Sequence, residues 1–220
     1  TGRLYAGASG FSYPSWKDGF YPADARNDDF LRLYAERVNA VELNNTFYRL
    51  PPEDQFDRWA AQVPDGFRFA VTASRRLTSF GRVEGVDEFC RMARRMGDRL
   101  GPLRFKVPQA RDDGFLRLLL DALDPEVAVA LDFRHDSWDD PEITARLDER
   151  GVARAGAWEG AVAFRYLRLR EPPYDEEALA MVAAQIRPPV TAGGDVYAFF
   201  RHEDEPTAPL YAERLRGFVD

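Results

Sequence analysis

The sequence predicts an α/β protein in which eight parallel strands close into a (β/α)8 barrel, formed by one domain over residues 1–220. Short apolar runs alternate with segments of helical periodicity along the whole chain, and polar residues recur where the apolar runs end. A doubly wound open sheet is the competing fold. The sequence has no glycine-rich phosphate fingerprint after its first apolar run, which argues against that alternative.

The predicted strands are apolar runs of four to seven residues, bounded by turn residues or by helix-capping residues. They cover residues 4–7, 40–43, 68–73, 103–107, 127–133, 152–155, 164–169 and 195–200. About eight residues separate the sixth run from the seventh, which is too few for a helical crossover of a dozen or more. We therefore expect a TIM-type barrel with one crossover helix missing.

The predicted helices carry apolar residues at the spacing i, i+3, i+4, i+7. The second helix is expected to open at Pro51 and Pro52, because proline suits the first turn of a helix. A later helix follows Asp175 as its cap, and the pairs 188–189 (Pro-Pro) and 193–194 (Gly-Gly) are interpreted as a loop before the eighth strand.

Composition excludes several classes of protein. The net charge of −7 argues against non-specific binding to nucleic acid. One cysteine, Cys90, can form neither an intramolecular disulfide nor a cysteine-based zinc site. No apolar run reaches the roughly 18–20 residues that span a bilayer, and we expect no signal peptide, because the chain opens almost directly into a strand. We expect a cytoplasmic protein that does not associate with membranes, and no motif identifies a cofactor.

Polar side chains share the inward face of the predicted strands near their carboxyl ends, where strand alternation places them. They are Ser9, Glu42, Asn44, Thr72, Ser74, Lys106, Asp132, Arg134, Tyr166 and Arg168. Active sites of TIM barrels lie at this end of the strands, which predicts a functional site. The alternative is a structural ion network that pairs Glu42 and Asp132 with Lys106, Arg134 or Arg168.

Two carboxylates, Glu42 and Asp132, are the candidate catalytic residues, because an acid/base couple needs two such groups. The hypothesis is a hydrolase or lyase-type reaction, with acid/base or metal assistance, on a phosphorylated sugar, nucleotide or other anionic substrate. The alternative is a non-catalytic binder of an anionic metabolite or a nucleic-acid end. On the functional hypothesis, Glu42→Gln weakens ligand binding and leaves thermal stability almost unchanged.

The remaining candidates are residues that would contact a ligand at the same end of the barrel. They are Ser9, Asn44, Tyr48, Lys106, Arg134, His135, Arg168 and Arg170. His135 and His202, with Glu42, Asp132 and Glu203, offer metal-ligand chemistry. Their spacing matches no metal motif, so no metal ligand is assigned.

Arginines recur after five of the predicted strands in a chain that is acidic overall. They are Arg49, Arg75, Arg76, Arg134, Arg168, Arg170 and Arg201. Guanidinium groups bind phosphate and carboxylate in bidentate geometry. The pattern predicts a ligand that carries phosphate, sulfate or carboxylate, with Arg134 and Arg168 as its direct contacts.

Several motifs occur together in this chain. They are residues 7–13 (GASGFSY) with Trp16, residues 41–51 (VELNNTFYRLP), residues 67–71 (FRFAV), residues 100–102 (LGP) and residues 132–135 (DFRH) with Ser137 and Trp138. In this combination the chain resembles the YecE-like family, domain of unknown function 72, over essentially its full length. The resemblance implies a TIM-barrel-type fold and no particular activity. The family usually has Lys, Gln, Glu and His at the positions of Thr72, Lys106, Asp132 and Arg170.

Overall fold

The computed structural model describes residues 2–47 and 49–219, and in these residues eight parallel strands form one sheet that closes almost completely into a barrel. The strands are β1 (Leu4–Ser9), β2 (Ala40–Leu43), β3 (Arg68–Thr72), β4 (Leu100–Val107), β5 (Val129–Phe133), β6 (Ala153–Arg154), β7 (Phe164–Leu169) and β8 (Asp195–Phe200). Their order in the sheet is β6-β5-β4-β3-β2-β1-β8-β7. The α/β barrel predicted from the sequence is confirmed.

Helices follow all but one of the strands and cover the outside of the barrel. They are α1 (Phe30–Ala35), α2 (Glu53–Ala61), α3 (Val86–Ala93), α4 (Asp113–Ala122), α5 (Pro141–Glu149), α6 (Glu176–Thr191) and α7 (Thr207–Val219). Among the described residues, none of these helices is long and apolar enough to cross a membrane.

The connection between β6 and β7 has no crossover helix, as the sequence predicted. Residues 155–163, all of them described, contain no helix, and β6 is only two residues long. No strand ladder joins β6 to β7. The Gly156 amide donates instead to the Tyr166 carbonyl at 2.8 Å, so the barrel is closed by a seam rather than by a full ladder.

Predicted element boundaries were wrong at two pairs of prolines, and the fourth strand begins at Leu100 and not at residue 103. Pro188 and Pro189 lie inside α6 and not in a loop. Both residues keep a carbonyl acceptor at the helix end, since the amides of Ala192 and Gly194 donate to them at 3.0 and 2.9 Å. The helix is stopped at Gly193, whose φ of +98° is a left-handed conformation that favours glycine. Helix α2 begins at Glu53, with Pro52 preceding it as the N-cap.

The barrel interior is filled unevenly around its circumference. Alanines face inward from β2, β3, β5 and β6, while the other side contributes aromatic rings from β1, β7 and β8. The rings belong to Tyr5, Phe164, Tyr166, Tyr197 and Phe199. Because small residues on one side leave room for large residues opposite, the interior packs without a channel.

The long loop between β1 and α1 packs over one side of the barrel mouth. Trp16 is fully buried, and its indole N–H donates to the Glu203 carbonyl in the β8–α7 loop at 3.0 Å. Tyr21 stacks on Phe30 with ring centroids 4.5 Å apart. These aromatic side chains anchor the loop to the barrel, and so a packing role accounts for them.

Side chains from the α1–β2 region lock β1 against β2. Tyr34 accepts a hydrogen bond from the Ala8 amide at 2.7 Å and donates to the Ala40 carbonyl at 2.8 Å. Asn39 accepts from the Ala6 amide and donates to the Leu4 carbonyl. The two chains approach so closely that a Cβ at Gly7 would lie 1.7 Å from the Ala40 carbonyl oxygen. Only glycine fits at that position.

We predict that Gly7→Ala lowers the free energy of unfolding by about 3 kcal/mol or more, because the added methyl group must push β1 away from β2. Gly217→Ala is the control, since a Cβ at this exposed helical position meets nothing within 4 Å. That change should be neutral or slightly stabilising, because alanine favours helix over glycine. Urea unfolding of both variants measures the difference, and equal stabilities would contradict the packing argument.

Candidate functional site

A ring of charged and polar side chains crosses the interior of the barrel near the carboxyl ends of the strands. Arg168 on β7 reaches Glu42 on β2 through Nη2 at 3.1 Å, and its Nη1 lies 3.8 Å from Asp132 on β5. Arg104 on β4 donates to Asp132 through Nε and Nη2, at 2.9 and 2.6 Å. Asn44 completes the ring, because its Oδ1 accepts from Arg104 and its Nδ2 donates to Glu42. An arginine therefore lies between the two carboxylates.

Glu42 is fully buried, and its carboxylate accepts hydrogen bonds from four side chains. Besides Arg168, the donors are the Tyr166 hydroxyl at 2.6 Å, the Asn44 amide at 2.8 Å and the Ser9 hydroxyl at 3.1 Å. Burial raises the pKa of this carboxyl, but the charges of Arg168 and Arg104 with the Tyr166 hydrogen bond outweigh it and lower the pKa to about 2. These contacts use the roughly four lone-pair directions of a carboxylate.

Asp132 is the second buried carboxylate, and two arginines contact the same one of its oxygens. Arg104 and Arg134 both donate to Oδ2, with Arg134 Nη2 at 2.9 Å. The Asp132 side chain remains 10% exposed toward the mouth.

Arg104 is the central residue of the ring that the sequence analysis missed. Its side chain is only 4% exposed, and Nη1 also approaches the Thr72 hydroxyl at 3.2 Å. Burial opposes its charge, yet Glu42 and Asp132 raise its pKa above the ordinary value. Strand alternation from Lys106 places residue 104 on the same inward face, so the signal was present in the sequence.

Around Glu42 and Asp132 the cationic side chains outnumber the carboxylates, although the protein as a whole has a net charge of −7. Two carboxylates face five cationic side chains, which are Arg104, Lys106, Arg134, Arg168 and Arg170. Burial, followed by the charges of Arg134 and Arg104, lowers the pKa of Lys106. Partial burial and the charge of Arg168 lower the pKa of Arg170 in the same way.

His202 adds a titratable side chain at the rim of the mouth. Its ring stacks on Tyr13 with centroids 4.9 Å apart, and Tyr13 donates to the Ser9 carbonyl at 2.8 Å. Burial lowers the pKa of His202, the charges of Arg170 and Arg201 lower it further, and the charge of Asp204 offsets part of the effect.

The structure brings most of the candidate ligand-binding residues together, but not all of them. Ser9 lies between Glu42 and Arg170, whose Nη1 donates to the serine hydroxyl at 3.2 Å. His135 makes its described contacts within its own turn, accepting from the Ser137 amide through Nδ1. Tyr48 lies outside the described residues. Among the residues that are described, no group of three or more His, Cys, Asp or Glu side chains is placed to hold a metal ion.

The family model described as "Protein of unknown function DUF72" matches residues 5–220. The chain belongs to the DUF72 family. It is 27% identical over 163 residues to the UPF0759 protein YecE of Escherichia coli (strain K12), a match that covers 69% of this chain. The chain spans 57% of the length of that relative, and 28% of the UPF0759 protein YunF of Bacillus subtilis (strain 168), to which it is 28% identical over 81 residues.

Solved structures of other DUF72 proteins have the same fold. A DUF72 family protein from Thermotoga maritima MSB8 superposes with a TM-score of 0.84 at 22% identity, covering 99% of both chains. One from Enterococcus faecalis V583 superposes with a TM-score of 0.78 at 13% identity, covering 100% of this chain and 98% of that one. At these identities the likeness concerns the barrel alone.

We predict that Glu42→Gln lowers stability by about 3 kcal/mol at neutral pH, because it removes the carboxylate that pairs with the largely buried Arg168 and leaves Asp132 to compensate both Arg168 and Arg104. The expected loss replaces the almost unchanged thermal stability that the sequence had suggested for Glu42→Gln. The sequence could not show that the carboxylate is fully buried and paired. Thermal unfolding compares the variant with wild type and with Glu84→Gln, an exposed control. An unchanged melting temperature for Glu42→Gln would contradict the role of the ion pair.

The same pair predicts how stability depends on pH. Because the folded-state pKa of Glu42 lies below its ordinary value of 4.5, at about 2, the carboxylate stabilises the fold above the unfolded pKa. That contribution is lost as the pH falls from the unfolded pKa towards the folded-state pKa of about 2. The difference in melting temperature between wild type and Glu42→Gln should therefore narrow between about pH 5 and pH 2. A constant difference over this range would contradict the low pKa.

Proposed function

We propose that the C-terminal mouth of the barrel binds a small ligand that carries a phosphate, sulfate or carboxylate group. The observation that carries the proposal is the crowding of positive charge. Lys106, Arg170 and His202 each have a pKa lowered by burial and by neighbouring arginines. An anion bound among them would relieve this repulsion, which gives the site a favourable electrostatic free energy for anions.

The arginines differ in how many donors remain for a ligand. Arg104 and Arg168 are committed to the ring by the contacts with Asp132 and Glu42. Arg134 is 43% exposed and uses Nη2 for Asp132, while Arg170 is exposed and uses Nη1 for Ser9. We therefore expect Arg134 and Arg170 to make the direct contacts. Arg168 would instead support the site through its contact with Glu42.

The two carboxylates would have separate tasks in such a site. Glu42 is suited to orienting Arg168 and not to accepting a proton, because its lone pairs are occupied and its pKa is about 2. Asp132 holds Arg104 and Arg134 through Oδ2, and its side chain is 10% exposed, whereas Glu42 is fully buried. If either carboxylate contacts a ligand hydroxyl or transfers a proton, the geometry favours Asp132.

We predict that anions bind and stabilise the protein, as measured by isothermal titration calorimetry and thermal shift. The panel contains inorganic phosphate, sulfate, a sugar phosphate, a nucleoside monophosphate, a dicarboxylate and short single-stranded DNA. Binding should weaken as salt concentration rises, because exposed charges are screened. Preference for one member of the panel would assign the ligand class, and single-stranded DNA alone would favour the nucleic-acid alternative.

Variants at the mouth test which arginines make the contact. Arg134→Ala and Arg170→Ala should each weaken anion binding by about tenfold or more, the loss expected for one charge-assisted hydrogen bond. Arg117→Ala on α4 is the matched control, an exposed arginine on an outer helix. The proposal fails if no anion binds, or if the two mouth variants bind as tightly as wild type.

A further inference from the structure

An open cavity lies at the carboxyl ends of the last two strands, between the loops that follow them. The loop from β7 to α6 contributes Pro172 and Pro173, the loop from β8 to α7 contributes residues 201–205, and α7 contributes Tyr211. We call this space the rim cavity. Its volume of about 680 Å³ lies within the range of about 300–1,000 Å³ that is typical of small-molecule sites. It therefore has room for more than a bare phosphate or carboxylate group.

Strand pairing places the rim cavity next to Arg170. The β7 and β8 strands run side by side up to Leu169 and Phe200, and the Arg201 amide continues their ladder by donating to the Leu169 carbonyl at 2.9 Å. Arg170 and Arg201 therefore leave neighbouring strands at the same level. Since Arg201 lines the rim cavity and Arg170 is a proposed anion contact, one ligand can reach both.

A stacked pair of rings forms a second connection between the rim cavity and the anion site. The Tyr13 hydroxyl donates to the Ser9 carbonyl at 2.8 Å, and Arg170 Nη1 donates to the hydroxyl of the same serine at 3.2 Å. The Tyr13 ring stacks on His202 with the ring centroids 4.9 Å apart, and His202 lines the rim cavity. His202 is thus held at the boundary between the two spaces.

The lining of the rim cavity combines hydrogen-bond donors with hydrogen-bond acceptors. Arg201 offers guanidinium donors, whereas Asp204 and Glu205 offer carboxylate oxygens, and all three residues are exposed. A hydroxyl group both donates and accepts, so a ligand with several hydroxyl groups can use the donors and the acceptors together. An ammonium group would use only the carboxylates. An alkyl chain would cover the charged groups without replacing their hydrogen bonds to water.

We propose that the rim cavity binds the hydroxyl-bearing part of the anionic ligand, which is then a polyol with one anionic group, as sugar phosphates and sugar acids are. The inference rests on the proposed function and deepens it by naming the substrate class. The anionic group lies at Arg134 and Arg170, and the hydroxyl groups lie in the rim cavity. The charges of Asp204 and Glu205 favour this orientation, because they repel an anionic group from the rim cavity.

Calorimetry with matched ligands tests the proposal on the whole chain. Glucose 6-phosphate and hexyl phosphate carry the same phosphate monoester on six carbons, with and without further hydroxyl groups. Gluconate and hexanoate form the same comparison for a carboxylate. We expect the polyol of at least one pair to bind about tenfold more tightly than its alkyl analogue, the gain that a hydrogen bond to a charged group provides. Aminoethyl phosphate tests whether an ammonium group binds in place of hydroxyl groups.

Variants of the rim cavity test where the hydroxyl groups bind. Asp204→Ala and Glu205→Ala should each reduce the advantage of the polyol over its alkyl analogue by about threefold or more, and should leave the alkyl analogue bound no more weakly than by wild type. Glu149→Ala is the matched control, an exposed carboxylate at the end of α5, just before the start of β6. Arg170→Ala should weaken both members of a pair equally, because they share the anionic group.

The outcomes distinguish the two proposals. Anion binding without a preference for either polyol overturns the inference about the rim cavity and leaves the anion site standing. The same conclusion follows if the preference survives both Asp204→Ala and Glu205→Ala, or if aminoethyl phosphate binds more tightly than either polyol. If none of these compounds binds, both proposals are overturned.

Discussion

The burial of the Glu42 carboxylate is the constraint on which the packing at the carboxyl ends of the strands depends. A charge removed from water must be compensated by opposite charge and by hydrogen bonds, or the fold loses stability. The compensating groups come from distant parts of the chain, since Tyr166 and Arg168 are 124 and 126 residues away. A shift of one residue in the register of β7 would turn both side chains outward. The carboxylate thus fixes register as well as charge.

The strand and helix pattern predicted the barrel and its missing helix, because hydrophobic periodicity is a local signal. Alternation also predicted that Glu42, Asp132 and Arg168 face inward at one end. It could not predict which carboxylate pairs with which arginine, since that depends on the three-dimensional placement of strands far apart in sequence. Arg104 was missed because the fourth strand was judged by Lys106 alone. Pro188 and Pro189 were assigned to a loop because proline lacks an amide donor. Near the end of α6, however, their carbonyls still accept hydrogen bonds from the last turn.

The arginine and lysine side chains of the mouth differ in their chemistry. Arginine keeps its charge and offers several donors in a fixed plane, which suits Arg104 and Arg168 to bridging carboxylates within a buried ring. Lysine carries one compact charge that responds to its surroundings. Because the arginine layer holds its charge while Asp132 and Glu42 neutralise only part of it, the electrostatic potential that acts on Lys106 is built into the framework of the barrel.

The seam between β6 and β7 gives the barrel a direction in which it opens most easily. Where other neighbouring strands share a ladder, these two share the described Gly156–Tyr166 backbone hydrogen bond, and no helix covers the connection. Local opening follows regions with few backbone hydrogen bonds and little apolar cover. Amide hydrogens along this seam should exchange with solvent through small local fluctuations, whereas those of β1, paired on both sides, exchange only when the whole barrel unfolds.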